Sequence, residues 1–341
     1  MIDLNSYGYT GDHVFPDGTI PARVTASHRD RFELVCAHGE CGAHLKRSVR
    51  FPEVPTTGDF VSLLYNPSGD GAMTALLPRR TAFLRLDSFT GNAQAVAANF
   101  DSVFITTSLN GDFNVRRLER YLSLALASGA QPVFLLTKLD QAVDAPGRIA
   151  RAQEIAQAAP VIAVSSVTGE GLDLLADYAR PGMTIALLGS SGVGKSTLVN
   201  ALEGQEIMRV SAIREDDSKG RHTTTYRQLI MLKSGAMMID TPGMRELGIW
   251  DAREGVSEVF EDIAALAARC KFRDCTHARE PGCAVRRAVE AGEADPKRVE
   301  SYLKLKDESD RTATKAEILR KKQERYKNIE NYQRTLKKDR Y

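Results

Sequence analysis

Residues 189–196 have the types and spacing of a phosphate-binding loop, Gly-Ser-Ser-Gly-Val-Gly-Lys-Ser. An apolar run of strand length precedes them at 183–188, and a segment of helical periodicity follows at 197–203. The motif needs this strand–loop–helix context, because the backbone N–H groups of a glycine-rich loop at a helix N-terminus surround phosphates. We expect Lys195 to reach the β- and γ-phosphates of a nucleotide and Ser196 to bind Mg²⁺.

An acidic residue downstream can complete such a site. Asp240 ends the apolar run 236–239 and opens the pattern Asp-Thr-Pro-Gly. A carboxylate there can hold Mg²⁺ through water, and the N–H group of Gly243 can meet the γ-phosphate. A threonine hydroxyl from the intervening block Gly-Arg-His-Thr-Thr-Thr would fill the magnesium shell, with Thr224 favoured and Thr223 as the alternative.

Base recognition is predicted upstream of these blocks. The apolar run 131–136 ends in a tetrad typical of guanine recognition: Thr137, Lys138, Leu139 and Asp140. The Asp140 carboxylate can accept hydrogen bonds from N1–H and from the exocyclic amino group of guanine, a donor pair that adenine lacks. Ser165 and Ser166 follow the next predicted strand, 160–164, and strengthen this interpretation. The predicted nucleotide-binding residues are Thr137, Lys138, Leu139, Asp140, Ser165, Ser166, Gly189, Ser190, Ser191, Gly192, Val193, Gly194, Lys195, Ser196, Thr197, Thr223, Thr224, Asp240 and Gly243.

The order of these blocks along the chain is unusual. An ordinary Ras-like GTPase has its phosphate loop first and its guanine tetrad second, whereas here the tetrad comes first and Asp240 comes last. The sequence therefore predicts a circularly permuted GTPase. In this order, the segment after Gly243 leads directly into whatever follows the GTPase. An ATP-using phosphate-loop enzyme is disfavoured by the tetrad.

Three cysteines and a histidine near the C-terminus predict a metal site: Cys270, Cys275, His277 and Cys283. Three thiolates and one imidazole suit closed tetrahedral coordination of a structural zinc ion, and buried cysteines beside a surface histidine are the alternative. A second group lies near the N-terminus: Cys36, His38, Cys41 and His44. A β-hairpin explains this spacing better than a second metal does.

Five short β-rich segments separated by Gly and Pro favour an N-terminal OB-fold barrel. They are Ile20–Ala26, Arg31–Cys36, His44–Val49, Asp59–Tyr65 and Ala72–Leu77. Basic groups on this barrel suit either RNA contact or a solvated surface: Lys46, Arg47, Arg50, Arg79 and Arg80. Alternating strands and helices then predict a mainly parallel sheet, and helical patterns follow at 256–268, 284–291 and 296–306. We expect three domains: an OB-fold RNA-binding domain at 1–88, the permuted α/β GTPase at 89–252, and a zinc-binding helical domain with a basic tail at 253–341.

Charge and cysteine content narrow the class of protein. The whole chain carries a net charge of +2, whereas residues 312–341 hold ten Lys or Arg against four Asp or Glu. This basic end suits contact with the phosphate backbone of RNA, with a solvated helix or tail as the alternative. Five cysteines do not suggest a disulfide framework, and no secretory signal or membrane-length apolar run is visible. We expect a cytoplasmic protein with reduced thiols.

The permuted order, the Gly-Arg-His-Thr-Thr-Thr block and the cysteine set together resemble the ribosome small subunit-dependent GTPase A family over nearly the whole chain. The resemblance implies a monomeric GTP hydrolase that binds the small ribosomal subunit and its rRNA. It also implies a role in late subunit maturation beside other maturation factors, with release on hydrolysis. A GTP-binding RNA assembly scaffold with incidental hydrolysis is the alternative.

Catalysis needs a group that orients the attacking water. Ras-like enzymes use a glutamine just after Asp-x-x-Gly, but Met244 stands there, and a thioether cannot orient water. His222 is the nearest polar candidate, and the resemblance implies this role for it because the family's matching histidine is implicated there. The alternative is a switch residue that contacts rRNA or solvent.

Overall fold

The computed structural model of the chain describes residues 1–206 except 12, 17, 29, 88 and 89, then residue 208, 228–240 and 252–338, with side chains described as far as 319. Two compact units divide the chain. Met1–Phe83 and Ala95–Arg245 form the first unit, and Leu84–Gln94 and Glu246–Tyr341 form the second. The three predicted domain boundaries stay a prediction.

The N-terminal strands close into a five-stranded barrel, which confirms the predicted fold class. The strands are β1 (Ile20–Ser27), β2 (Phe32–Cys36), β3 (Gly39–Leu45), β4 (Phe60–Leu64) and β5 (Gly71–Leu76). They pair in the order β1-β2-β3-β5-β4, and β4 pairs with β1. Only β3 and β5 pair in parallel. Leu34, Leu63 and Met73 are fully buried inside the barrel, because alternate residues of each strand face inward.

The predicted third strand, His44–Val49, was placed too late in the chain. A two-residue turn joins β2 to β3, so that Cys36 pairs with Gly39 and the third strand starts at once. Gly39 has φ of 114°, a conformation open to glycine at such a turn. The pattern of β-prone residues after His44 therefore belongs to a loop, since Val49 N donates to Lys46 O.

The predicted hairpin accounts for the N-terminal group of cysteines and histidines. Cys36 is buried and its Sγ donates to the Gly39 carbonyl. His38 stacks on Tyr65 with ring centroids 4.4 Å apart. His44 Nε2 lies 2.9 Å from an oxygen of the Asp70 carboxylate. Within the described ranges, the four predicted residues do not gather into a set of metal ligands.

The basic groups of the barrel differ in their surroundings. Arg79 is largely buried and makes a bidentate pair with Asp59, with Nε–Oδ1 and Nη2–Oδ2 distances of 2.7 and 2.8 Å. It also contacts the Glu53 carboxylate. This guanidinium is therefore already neutralised and is a poor candidate for RNA contact. The loop residues Lys46, Arg47 and Arg50 have no ion pair within the part of the chain that the structure describes.

A two-stranded pair follows the barrel, and a six-stranded sheet with flanking helices follows the pair. The pair consists of β6 (Ala82–Leu86) and β7 (Ala93–Ala98). The sheet contains β8 (Ser102–Ser108), β9 (Gln131–Thr137), β10 (Val161–Ala163), β11 (Thr184–Gly189), β12 (Leu229–Met231) and β13 (Met237–Asp240). The helices are α1 (Val115–Ala127), α2 (Ala145–Ala156) and α3 (Lys195–Glu203).

The order of the six strands in the sheet is β10-β9-β8-β11-β13-β12, and every pair is parallel except β12 with β13. The chain first builds outward from β8 through β9 to β10, and then returns to place β11 on the other side of β8. The strand order thus reverses between β8 and β11. In open parallel sheets, ligands bind at the carboxyl ends of the strands beside such a switch point.

A buried arginine joins the barrel to this sheet within the first unit, and we call its contacts the Arg23 junction. Arg23 lies on β1, is 1% exposed, and donates from Nη1 to Thr184 Oγ1 at 3.0 Å and to the Tyr7 carbonyl at 2.5 Å. Its Nη2 and Nε donate to the carbonyls of Asn99 and Gly58. Burial lowers the pKa of Arg23 to about 9, with the nearby Asp101 carboxylate opposing that shift. Carbonyl and hydroxyl oxygens therefore satisfy a cation that has lost its water.

The second unit is helical at its C-terminal end. Its helices are α4 (Arg253–Val259), α5 (Glu261–Ala267), α6 (Ala284–Glu290) and α7 (Pro296–Lys338). The helix predicted at 256–268 is interrupted at Phe260, whose backbone leaves the helical region and whose ring is buried 5.7 Å from that of Tyr302. The last helix continues far beyond the predicted 296–306, because no Gly or Pro interrupts the segment. In the described ranges, no helix is long and apolar enough to cross a membrane.

Candidate functional site

The predicted phosphate loop joins β11 to α3 at the centre of the sheet. Gly192 and Gly194 have φ of 76° and 101°, in the left-handed region that favours glycine. A Cβ on Gly189 would lie 2.5 Å from the Thr106 carbonyl of the neighbouring strand, so only glycine fits there. Lys195 is the first residue of α3, and Ser196 and Thr197 follow it in the first turn. The loop N–H groups therefore lie at a helix N-terminus, where phosphates bind.

Two charged groups face each other across this loop. The Lys195 ammonium donates to the carbonyls of Gly189 and Ser190, both at 2.8 Å. Burial lowers the pKa of Lys195, and the Asp240 carboxylate opposes that shift. Asp240 arrives beside the loop because it pairs with Leu187 in the β11–β13 register.

The Asp240 carboxylate is not fully satisfied. Its Oδ1 is buried and has no hydrogen-bond partner among the described residues. Burial raises the pKa of Asp240, while Lys195 lowers it. A buried carboxylate oxygen of this kind, beside Lys195, fits a Mg²⁺ ion or its bound water. The donor set of the loop is thus consistent with a magnesium–nucleotide complex.

Two side chains connect the predicted guanine tetrad to the phosphate loop. The Thr137 hydroxyl lies within hydrogen-bond distance of the Thr107 and Val193 carbonyls. Lys138 adopts φ of 57°, and its ammonium donates to the Gly192 carbonyl at 2.8 Å. The end of β9 and the phosphate loop therefore form one hydrogen-bonded system.

The Asp140 carboxylate is held by the segment that follows β10. The Ser165 hydroxyl donates to Asp140 Oδ1 at 2.7 Å, and its oxygen accepts from the N–H groups of Val167 and Thr168. Ser165 is fully buried, whereas Asp140 is exposed. The sequence pointed to Ser165 as part of the site, and the geometry shows which atom it contacts. Ser166 is half-buried next to it.

Two side-chain contacts made by α1 and α2 were not predicted from the sequence. The Tyr121 hydroxyl of α1 lies 3.4 Å from Ser190 Oγ. Arg148 of α2 donates to the carbonyls of Leu109 and Asn110, in the segment that follows β8. No local motif marks either residue, because their positions follow from helix packing rather than from spacing along the chain.

Part of the predicted site lies outside the described residues. This applies to the catalytic candidate and its neighbours, and to the residues after β13: His222, Thr223, Thr224, Gly243 and Met244.

The predicted zinc ligands converge in the second unit, in what we call the Cys-His loop (270–283). The ligand atoms of Cys270, Cys275, His277 and Cys283 all lie within 4.8 Å of one another. His277 Nδ1 is 3.5 Å from Cys270 Sγ and 3.4 Å from Cys283 Sγ, and the two sulfurs are 3.9 Å apart. Tetrahedral zinc with its usual bond lengths separates such ligands by about 3.5–3.8 Å. The cluster therefore has the dimensions and chemistry to hold a metal ion.

The backbone of the Cys-His loop is braced by a residue that sequence reasoning missed. The Glu280 carboxylate accepts from the N–H groups of Thr276, Ala278 and Arg279. The Thr276 hydroxyl also donates to this carboxylate, and that bond first, followed by those from backbone N–H groups, lowers the pKa of Glu280 to about 2. Cys283 caps α6 through its sulfur, which accepts from Arg286 N at 3.4 Å. These contacts depend on the conformation of the loop, so nothing in the sequence distinguished this glutamate.

Comparisons with known proteins cover most of the chain. The RsgA GTPase family model matches residues 76–250. An ABC transporter model matches residues 175–332, a range that includes the phosphate loop. The curated protein Small ribosomal subunit biogenesis GTPase RsgA 2 of Lactiplantibacillus plantarum is 44% identical over 316 residues, which are 90% of this chain and 89% of that protein.

Two solved structures are similar to this chain. YjeQ from Thermotoga maritima matches with a TM-score of 0.61 and 26% identity, over 84% of this chain and 97% of that one. YloQ, described as a circularly permuted GTPase, matches with a TM-score of 0.58 and 22% identity, over 88% of this chain and 99% of that one. The likeness to YloQ supports the fold alone.

Proposed function

Because this chain belongs to the RsgA GTPase family and is a GTP hydrolase, we propose that it binds the small ribosomal subunit and acts in the late maturation of that particle. The GTP state binds the subunit, and hydrolysis to GDP and phosphate releases the protein. Its partners are then the subunit with its rRNA, GTP or GDP, and other maturation factors. We propose that it acts as a monomer in the cytoplasm.

The name of the Lactiplantibacillus plantarum relative supports the subunit as the partner. The observation that carries the nucleotide part is the hydrogen-bonded system joining the tetrad to the phosphate loop, through Thr137 to Val193 and Lys138 to Gly192. A ligand that spans both segments must offer a guanine base at one end and phosphates at the other. GTP is such a ligand.

Each end of the nucleotide has its own group in this proposal. Asp140 accepts from the guanine base, while Ser165 holds the other side of that carboxylate. Lys195 exchanges the carbonyls of Gly189 and Ser190 for the β- and γ-phosphates. Those carbonyls partly offset the desolvation of the buried ammonium before the nucleotide arrives.

The magnesium ligands are proposed from the same set. Ser196 and Thr224 bind the ion directly, with Thr223 as the alternative to Thr224, and Asp240 holds it through water. When bound, Mg²⁺ supplies positive charge to the phosphate oxygens. His222 orients the attacking water, since Met244 lacks a polar atom for that task. The N–H groups of the phosphate loop bind the phosphates, and the N–H group of Gly243 contacts the γ-phosphate.

The metal of the Cys-His loop is proposed to be zinc. Three thiolates with one imidazole form a soft donor set that favours zinc over magnesium or calcium. Four protein ligands leave no open position, so the ion is structural. Elemental analysis of the purified protein tests this assignment with one zinc per chain as the expected result.

The test of the proposed function is single-turnover GTP hydrolysis titrated with purified small subunits. We expect the rate to rise with subunit concentration to a plateau, because the particle completes or orders the catalytic groups. Large subunits serve as the control and should leave the rate unchanged. A rate that is independent of small subunits, although they bind, would instead support a GTP-binding assembly scaffold.

A further inference from the structure

The exposed surface of the Cys-His loop, together with the residue that precedes the loop, carries one aromatic ring and four cations. We call this surface the basic face, and it consists of Arg269, Lys271, Phe272, Arg273 and Arg279. All five residues are exposed, and Phe272 leaves 40% of its surface in solvent. Among the described residues of this unit, Phe272 is the exposed aromatic side chain next to a cation: the Lys271 ammonium lies 5.5 Å from its ring centroid.

Backbone hydrogen bonds of the loop fix the position of Phe272. Its carbonyl accepts from Cys275 N, and the preceding residue, Lys271, donates from its N–H group to the Gly282 carbonyl. A Cβ on Gly282 would lie 3.0 Å from the Lys271 Cβ, so the two sides of the loop touch. Phe272 thus stands in a turn between two ligand cysteines, Cys270 and Cys275. A ring on such a braced turn loses little conformational entropy when it meets a partner.

The cations of the basic face lack carboxylate partners, unlike other arginines of the same unit. Four arginines elsewhere in the unit make ion pairs: Arg253 with Asp310, Arg286 with Glu290, Arg298 with Asp262, and Arg311 with Asp307. Within the part of the chain that the structure describes, Arg269, Lys271, Arg273 and Arg279 have no ion pair. The loop contains two acidic residues: Glu280 accepts hydrogen bonds from N–H groups of the loop, and Asp274 follows Arg273 on the exposed surface. The four cations outnumber this one exposed carboxylate, so the face carries a net positive charge beside an exposed ring.

We propose that the basic face binds unpaired nucleotides of RNA, with Phe272 stacking on one base and the cations contacting the flanking phosphates. Proteins recognise single-stranded RNA segments by combining aromatic stacking with a positively charged surface. Double-stranded RNA offers phosphates but buries its base faces, so it would leave the ring without a partner. The proposal rests on the proposed function, because the small subunit supplies the RNA, and it names the kind of RNA segment and the residue that reads it.

The test compares two substitutions of one ring in the full-length protein loaded with a non-hydrolysable GTP analogue. Phe272→Leu keeps an apolar side chain but removes the π-face, and we expect about a tenfold weaker affinity for purified small subunits. Phe272→Trp restores a stacking surface and should bind within about twofold of the parent. Ile318→Ala is the matched control, because Ile318 is an exposed apolar residue of the same unit, 61% exposed, outside the basic face.

A charge variant adds an independent readout. Arg273→Gln removes one cation from the exposed face without touching a metal ligand, and the slope of log affinity against log salt concentration should fall by roughly one. Phe272→Leu should leave that slope unchanged. Zinc content and thermal unfolding are measured for each variant; if Phe272→Leu loses zinc, the Arg273→Gln slope alone decides the matter, and an unchanged slope overturns the proposal.

The outcomes separate this inference from the proposed function. If the parent binds subunits and Phe272→Leu binds equally well, the stacking role is wrong while the function stands. If the parent protein does not bind small subunits at all, the proposed function itself is wrong. A fluorescent single-stranded RNA oligonucleotide and vesicles containing anionic lipid are tested in parallel. Loss of vesicle binding in Phe272→Leu, with RNA binding intact, would reassign the face to a membrane surface and overturn the proposal.

Discussion

The nucleotide site and the Cys-His loop differ in whether their polar groups have partners within the protein. Around the phosphate loop, the buried Asp240 oxygen has no partner among the described residues, and Lys195 is satisfied only by loop carbonyls. In the Cys-His loop, three thiols and an imidazole contact one another, and the neighbouring carboxylate of Glu280 is saturated by N–H groups. We expect a site that exchanges its ligand to have polar groups without permanent partners, and a site that keeps one metal ion to have its ligand atoms already gathered.

The two sites also differ in what holds them in place. The phosphate loop is anchored by β11 in the middle of a sheet, between β8 and β13, with a buried core beneath it. The Cys-His loop connects two short helices, α5 and α6, of seven residues each. Helices of that length are not stable alone. We therefore expect the nucleotide site to keep its shape without a ligand and the Cys-His loop to depend on its ion.

The largest effect is expected when the ion is removed. Cys275→Ser should lower zinc content and unfold the Cys-His loop with its helices, since structural zinc contributes about 10–16 kcal/mol in small domains. Hydrogen exchange should accelerate across 252–300 and stay unchanged across 184–203. GTP affinity serves as the internal control and should remain within about twofold. Parent protein that contains no zinc after careful purification would contradict the contrast between the two sites.

The next effect concerns catalysis. His222→Ala should bind GTP normally but hydrolyse it about a hundredfold more slowly on small subunits, as expected when a group that handles the reacting water is lost. Single-turnover rates at saturating GTP provide the measurement, and GTP titration of the same variant is the control. Unchanged subunit-stimulated turnover would move the role to a group supplied in trans by the particle.

A smaller effect is expected at the base. Asp140→Asn removes a charge-assisted acceptor worth about 1.5–3 kcal/mol, so GTP should bind at least tenfold more weakly in titration calorimetry. The same variant should gain affinity for xanthosine triphosphate, because the new amide can donate to the carbonyl that replaces the guanine amino group. Parent-like GTP affinity would show that the tetrad does not read the base.

The smallest effect tests whether the Asp140 carboxylate is positioned by the neighbouring Ser165 hydroxyl. Ser165→Ala removes the hydrogen bond to Asp140 Oδ1, worth about 1 kcal/mol, and should weaken GTP binding roughly fivefold. Val167→Ala is the nearby control, because the Val167 side chain is apolar and 75% exposed and is not among the predicted nucleotide-binding residues. Equal losses for both variants would mean that the segment acts through its backbone alone.

The sequence allowed the prediction of motifs that depend on local chemistry. The phosphate loop, the tetrad and the Cys-His ligands were all recognisable, because glycine conformation and ligand type are properties of a few neighbouring residues. The permutation also followed from motif order alone. The barrel was predictable as five strands, but the start of β3 was not, since a two-residue turn at Ala37–His38 carries no Asn-Gly or Asp-Gly signal.

Contacts between distant segments could not be predicted in the same way. Arg79 looked like one basic group among several until its pair with Asp59, 20 residues upstream, showed that it is neutralised. Glu280 became visible as a brace only when the loop brought three N–H groups to it. Tertiary pairing decides whether a charge is a structural tie or a free surface group, and spacing along the chain does not encode it.

The Arg23 junction limits how this protein can be divided into fragments. Its guanidinium contacts Thr184 and Met237, which are the first residues of β11 and β13, while the nucleotide groups lie at the opposite ends of those strands. A GTPase fragment that began at residue 89 would lose Arg23 and would expose the amino ends of β11 and β13 at Thr184 and Met237. The barrel is therefore no interchangeable module, and chimeras that replace it must carry over the arginine together with the oxygens that receive it.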